Sequence, residues 1–142
     1  MINGVNHITL RVRNLDVAER FYTEVLGLKR VGARASMRFY SSGRHAHELA
    51  LVEDPTFRHR DTEGLLHLCF NIESETALHA LYLRCQSAGV RMSDGVDHVV
   101  MHSFYLHDPD GYTLEMGVDR PRQEWEHNDN AFATDGPLRR GL

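Results

Sequence analysis

Between Val5 and Arg13 apolar and polar positions alternate, with Ile8, Leu10 and Val12 on one side and His7, Thr9 and Arg11 on the other, the pattern of a half-buried strand. Asn14 then offers a helix cap, and Leu15, Ala18, Phe21, Tyr22 and Val25 recur at helical spacing up to Gly27, a natural stop. Short strands are expected near Leu28 to Ala33 and Ser36 to Ser41, and the turn Ser41-Ser42-Gly43-Arg44 leads to a fourth from His45 to Val52. The order then repeats. Leu66, Leu68, Phe70 and Ile72 alternate with His67, Cys69 and Asn71. Ser74 can cap a helix carrying Ala77, Leu78, Leu81, Tyr82 and Cys85, and Gly89 follows it. Ser103 to Asp108 and Tyr112 to Val118 read as a hairpin about Asp108-Pro109-Asp110-Gly111.

Overlaying the halves sets His7 on His67, Gly27 near Gly89 and Phe39-Tyr40 on Phe104-Tyr105, each pair followed by a strand that carries Glu48 or Glu115. Two βαβββ modules are the economical reading. The fold class expected is α+β, the two modules pairing to form a curved mixed sheet around a metal-binding trough. Residues 1–118 make the domain, with modules at about 5–53 and 65–118, and residues 119–142 form a C-terminal tail.

Composition narrows the partners. Of 142 residues 42% are hydrophobic and 25% charged, and the net charge of −4 comes without any basic stripe, so neither nucleic acid nor an anionic membrane is an expected partner. No stretch is apolar for the roughly 20 residues a membrane span needs, and the start MINGVNHITL lacks a basic and then apolar leader pattern. The two cysteines, Cys69 and Cys85, suggest neither a zinc knuckle nor a disulfide framework, which fits a soluble, cytoplasmic protein. The ten histidines stand out.

His7, His67 and Glu115 each take a polar position in an alternating strand and can all face the trough. Two imidazoles and a carboxylate with open positions form the facial set favoured by Fe(II), with Mn(II), Co(II), Ni(II) or Zn(II) as further fits. Singly, a strand histidine or glutamate is more often an ordinary surface residue; the equivalent placement of three in a repeated module carries the inference.

The segments NHITLRV, HLCFNI and SFYLHDPDGYTLEM resemble the metal-bearing strands of the vicinal oxygen chelate superfamily over roughly Val5 to Val118. That group includes glyoxalase I, extradiol dioxygenases, epimerases, fosfomycin-resistance thiol transferases and metal-free bleomycin-binding proteins. The resemblance implies one divalent ion on His7, His67 and Glu115. GRHAHELAL around His47, Tyr105 ten positions before Glu115, and DRPRQEW in the tail are similar to small catechol 2,3-dioxygenase-like proteins. This implies a Fe(II)- or Mn(II)-dependent extradiol-type dioxygenase acting on a small catecholic or related vicinal-oxygen substrate, with His47 as acid and base and Tyr105 orienting the substrate.

Alternatives stay open. A glyoxalase-like lyase, isomerase or epimerase would use Glu48 as a fourth ligand. A thiol transferase shares the triad and a threonine like Thr9, but its potassium-binding loop is not recognisable in DHVVMH. A non-catalytic binding protein is the remaining case. Neighbours on a strand point to opposite faces, so His47 and Glu48 cannot both enter the trough; internal symmetry favours Glu48, the longer motif match His47, and the choice falls to His47. His98, Asp97 and His102 lie ahead of Tyr105 at a spacing that matches no dioxygenase pattern cleanly. His45, His59, His79, His107 and His127 read as surface residues. Superfamily members form their sites within one chain or between two, and a homodimer is expected.

Overall fold

The computed structural model describes residues 1–60, 64–138 and 142 and divides into two compact units, Met1–Arg60 and Asp61–Leu142. Unit 1 runs β1 (Ile8–Val12), α1 (Leu15–Arg20), β2 (Lys29–Arg34), β3 (Met37–Ser41) and β4 (Leu49–Glu53). Its sheet has the order β1-β4-β3-β2, with β1 parallel to β4 and the other pairs antiparallel. The alternation in β1 buries Leu10 and Val12 and leaves Thr9 and Arg11 exposed. Asn14 sits in extended backbone and its side chain accepts from the Val17 N–H, satisfying one of the donors a helix start leaves over. The helix runs on through a π-helical turn, Phe21–Val25, before Gly27 ends it at φ 84°. Tyr22, Tyr40, Leu49 and Leu51 have no exposed surface, and the buried Tyr40 hydroxyl donates to Glu19 Oε2 at 3.1 Å.

Unit 2 repeats the plan: β5 (Leu68–Asn71), α2 (Glu75–Ser87), β6 (Val96–Asp97), β7 (Met101–His107) and β8 (Thr113–Asp119). Its sheet order is β5-β8-β7-β6, with β5 parallel to β8, and a short strand β9 (Gly136–Pro137) extends the β6 edge. Ser74 caps α2 by accepting from the Ala77 N–H. Leu78, Leu81 and Cys85 are buried along α2, and Tyr82 meets Phe104 of β7 edge-on at 5.2 Å. The two βαβββ modules are thus present as two mixed sheets, each with a helix. Residues 136–137, expected as tail, are a strand of unit 2.

Three details differ from the sequence reading. The fourth strand begins at Leu49, not His45, because residues 45–48 form a bend tied down by the Glu48 side chain, so strict alternation does not govern His47 and Glu48. His7 and His67 each stand one residue ahead of their strands. The third concerns the internal alignment. Ile8 faces Leu49 and Thr9 faces Ala50, while Leu68 faces Leu114 and Cys69 faces Glu115. Ala50, not Glu48, therefore holds the position of Glu115. Across the hairpins Phe39 faces Ala50 and Tyr105 faces Glu115, so Phe39 answers to Tyr105 and not to Phe104.

Candidate functional site

On β7, Phe104 and Leu106 are buried toward α2, and the pleat gives Tyr105 the opposite face, beside Glu115 on β8 and Cys69 on β5. Glu115 is only 4% exposed, and a carboxylate so placed requires compensating partners. Its Oε2 lies 3.2 Å from His67 Nε2 and its Oε1 lies 3.3 Å from His98 Nε2. The Tyr105 hydroxyl is 3.1 Å from the same His98 Nε2, and the rings of Tyr105 and His67 meet edge-on at 5.7 Å. Burial, reinforced by the nearby Glu115 carboxylate, pushes the Tyr105 phenol well above its ordinary range. Burial and then Glu115 also push the Cys69 thiol up to about 12, although part of that residue reaches the surface. Tyr105 is consequently a neutral hydroxyl able to donate, and the same surroundings favour the protonated form of the Cys69 thiol.

His98 joins this cluster through an unusual turn. Val99 has φ 68°, a left-handed backbone that costs a β-branched residue about 1–3 kcal/mol. The Val99 N–H donates to Asp97 Oδ1 at 2.8 Å and its carbonyl accepts from Arg120 Nη1 at 3.0 Å, which fixes the turn. Sequence reasoning noticed His98 but did not place it, since the spacing from Tyr105 cannot reveal a left-handed residue in between.

In unit 1 the His7 and His47 rings lie 4.4 Å apart, and His47 meets Phe39 edge-on at 5.2 Å. His7 Nδ1 is 2.8 Å from Asn6 Oδ1; an N–H donating there leaves the Nε2 lone pair as a metal donor. Glu48 is employed otherwise. Its carboxylate accepts from the Ser42 N–H (2.9 Å), the Ser42 hydroxyl (2.9 Å) and the His45 N–H (3.0 Å). Burial alone would raise its pKa, but these bonds outweigh that and hold it below the ordinary carboxylate range.

The donors suit a divalent cation. A buried carboxylate with imidazole nitrogens on both oxygens supplies charge and borderline-hard ligands together. Among the described residues no three His, Cys, Asp or Glu side chains already stand as a metal-holding group. A separate cavity of about 950 Å³ opens on the α2 side of the unit 2 sheet, lined by residues including Glu75, Asp97 and His102. His102 Nδ1 is 2.6 Å from Glu75 Oε1, and its place on β7 is that of Phe104 and Leu106, away from Tyr105. No described helix is long and apolar enough to cross a membrane.

The pattern of the glyoxalase/bleomycin resistance protein/dioxygenase superfamily matches residues 4–116. The chain belongs to this superfamily. A catechol-2,3-dioxygenase of Bacillus subtilis is 30% identical over 130 residues, covering 87% of this chain and 44% of that protein. The chain thus spans less than half the length of that dioxygenase. The metallothiol transferase FosB of Shouchella clausii is 32% identical over 120 residues, covering 82% of this chain and 80% of its own. A glyoxylase/bleomycin resistance protein/dioxygenase domain from Frankia sp. EAN1pec superposes with a TM-score of 0.72 at 29% identity, over 84% of this chain and all of that one. Superfamily members are mostly enzymes, bind small molecules and carry a divalent metal ion.

Proposed function

We propose that the chain is a metal-dependent extradiol-type dioxygenase acting on a small catecholic or related vicinal-oxygen substrate. His67 and Glu115 would hold the metal with His7 as third ligand, supplied by the first unit of the same chain or of a second copy in a homodimer. Fe(II) is the preferred ion, with Mn(II), Co(II), Ni(II) and Zn(II) as lesser fits. When bound, such an ion supplies a Lewis acid and template for a substrate with two adjacent oxygens. The observation that carries the reading is the Tyr105 hydroxyl bonded to His98 at the flank of the His67–Glu115 donor pair.

The chain's own residues then divide the work. Tyr105, neutral and fixed by His98, donates to a substrate oxygen and orients it. His47, beside His7, accepts a substrate hydroxyl proton and later returns it. Glu115 offsets the charge of the cation. Burial of the carboxylate limits competition from water. The engagement of Glu48 with Ser42 and His45 supports His47 over Glu48 as the working residue.

The test is oxygen uptake across a panel of catechols after anaerobic loading with Fe(II). Chelator-sensitive uptake is expected, and Tyr105→Phe should lower kcat by about 10²-fold, the usual scale for a lost proton-transfer or orienting group. Absence of uptake with every catechol, accompanied by anaerobic isomerase turnover, overturns the reading.

The 80% coverage of the metallothiol transferase favours a second reading, thiol transfer to an electrophilic small molecule through the same donor set. Such a reaction proceeds without O₂. Metal-dependent consumption of a low-molecular-weight thiol and fosfomycin under nitrogen would establish it in place of the first.

A further inference from the structure

We infer that Glu48 is a positioning residue that closes the bend between β3 and β4 and so holds the His47 ring against His7 and Phe39. Among the described residues the His47 ring makes no hydrogen bond; it lies 4.4 Å from the His7 ring and meets the Phe39 ring edge-on at 5.2 Å. A side chain so placed goes where its main chain carries it. That main chain is outside the sheet, because β3 ends at Ser41 and β4 starts at Leu49.

Two side chains hold the bend. The Ser41 hydroxyl donates to the His45 carbonyl at 2.8 Å and accepts from the Gly43 N–H at 2.9 Å, where the chain reverses at φ 101°. The Glu48 carboxylate reaches back to both flanks of that reversal, accepting from the N–H and hydroxyl of Ser42 and from the His45 N–H. A carboxylate can accept several such bonds at once, which an apolar side chain cannot replace. The Glu48 main chain is fixed as well, its N–H donating to the Tyr40 carbonyl at 2.9 Å and its carbonyl accepting from the Ile8 N–H at 3.0 Å. Since β1 and β4 run parallel, the residues that precede Ile8 and Glu48 lie side by side, and these are His7 and His47. The backbone of Glu48 thus brings the two histidines together, and its side chain fixes the loop from which the His47 ring projects. Glu48 acts through His47 and touches no reacting atom itself.

The inference rests on the proposed function only for its kinetic part, so the primary readout is independent of turnover. Nuclear Overhauser spectra of the full chain without added metal should show cross-peaks from the His47 ring protons to those of Phe39 and His7; a His47→Gln variant assigns them. Glu48→Ala should abolish these cross-peaks while amide signals of β1 to β4 keep their dispersion. Glu48→Gln should weaken them, because its carbonyl oxygen can still accept from the Ser42 hydroxyl and the His45 N–H but its NH₂ then faces the Ser42 N–H. Cross-peaks that are missing in the wild type, or undiminished in Glu48→Ala, overturn the inference. Should the Ala variant fail to fold, undiminished cross-peaks in Glu48→Gln overturn it in the same way.

If the protein turns over catechols, Glu48→Ala should also lower kcat about tenfold, short of the roughly 10²-fold or more that a missing acid–base group costs, with bound metal unchanged. The decisive comparison is a double-mutant cycle. In a His47→Ala background Glu48→Ala should lower kcat no further, because its effect passes through His47. An equal loss in both backgrounds would mean that Glu48 supports the fold in general, which also overturns the inference. Should the wild type consume no oxygen while the cross-peaks behave as stated, the proposed function falls and the role of Glu48 in placing His47 stands.

Discussion

The two units start alike and finish differently. Each places a histidine one residue ahead of its first strand, His7 before β1 and His67 before β5, and each returns its fourth strand, β4 or β8, parallel to the first. At three matching positions on the returning hairpin the chemistry diverges. Where unit 2 has Tyr105, Glu115 and Gly117, the register gives unit 1 Phe39, Ala50 and Val52. At these three positions the same backbone plan therefore carries apolar side chains in unit 1 and, in unit 2, a phenol, a carboxylate and a glycine. Topology supplies positions, and the residues at those positions decide which of them can offer a donor. A fourth metal ligand deduced from the repeat would have to come from Ala50, which has none to offer.

The sharpest way to break this comparison is to neutralise the two carboxylates separately. Glu115→Gln removes the anion that compensates a dication while keeping the size of the side chain. Metal bound per chain should fall from near one to near zero under conditions that saturate the wild type. Glu48→Gln should leave occupancy unchanged, since that side chain is spent on Ser42 and His45. Comparable losses from both substitutions, read by elemental analysis after gel filtration, would restore the symmetric four-ligand picture.

Much of this was visible in the sequence, and the reasons for the remainder are local. The caps at Asn14 and Ser74, the stops at Gly27 and Gly89 and the equivalence of His7 with His67 follow from short-range rules that the chain obeys. The correspondence of Glu48 with Glu115 failed because the recurrence of Phe-Tyr followed by a glutamate suggested one alignment, whereas the pairing of β1 with β4 and of β5 with β8 sets Ala50, two positions past Glu48, in the place of Glu115. Strand β4 was read too long because nothing in GRHAHELAL announces that Glu48 folds back to close the loop. His98 escaped placement because Val99 adopts a backbone that its residue type disfavours, and β9 because a two-residue strand gives no periodicity to detect.

A smaller effect separates Glu48 from Glu115 by pH. Hydrogen bonds from Ser42 and His45 hold the folded Glu48 carboxyl below its ordinary value near 4.5, against the opposing pull of burial. With the folded value depressed, the contribution of Glu48 to stability is fully present above the unfolded value and is lost as pH falls through the folded one. Glu48→Gln should cost about 1–2 kcal/mol at neutral pH, toward the low end of the roughly 1.5–3 kcal/mol for hydrogen bonds to a charged group, because the side chain is partly exposed and screened by solvent. The cost should shrink below about pH 4.5. Urea unfolding at several pH values measures this, and a variant whose deficit grows toward acid would contradict the role assigned to Glu48.

The mildest test concerns the third divergent position. Gly117 faces Ser103 and Asn71 where unit 1 has Val52, and a Cβ there would meet Met101 Cε at 2.0 Å and Cys69 Sγ at 3.2 Å. The first contact is a steric overlap, but it involves the end of an unbranched, partly exposed side chain with several rotatable bonds, which can swing aside. The second asks the Cys69 thiol to give by a few tenths of an ångström. Against these costs, alanine reduces the freedom of the unfolded chain by about 0.4–1 kcal/mol relative to glycine wherever its backbone is compatible. The opposing terms leave Gly117→Ala within about 1 kcal/mol of the wild type in chemical denaturation, well below the 1–3 kcal/mol typical of overpacking a rigid core. Bound metal should be unchanged, because Glu115 and His67 keep their places. A loss above about 3 kcal/mol would exceed the usual overpacking range and show Met101 to be locked over Gly117, making the donor face of unit 2 as rigidly packed as its helix side.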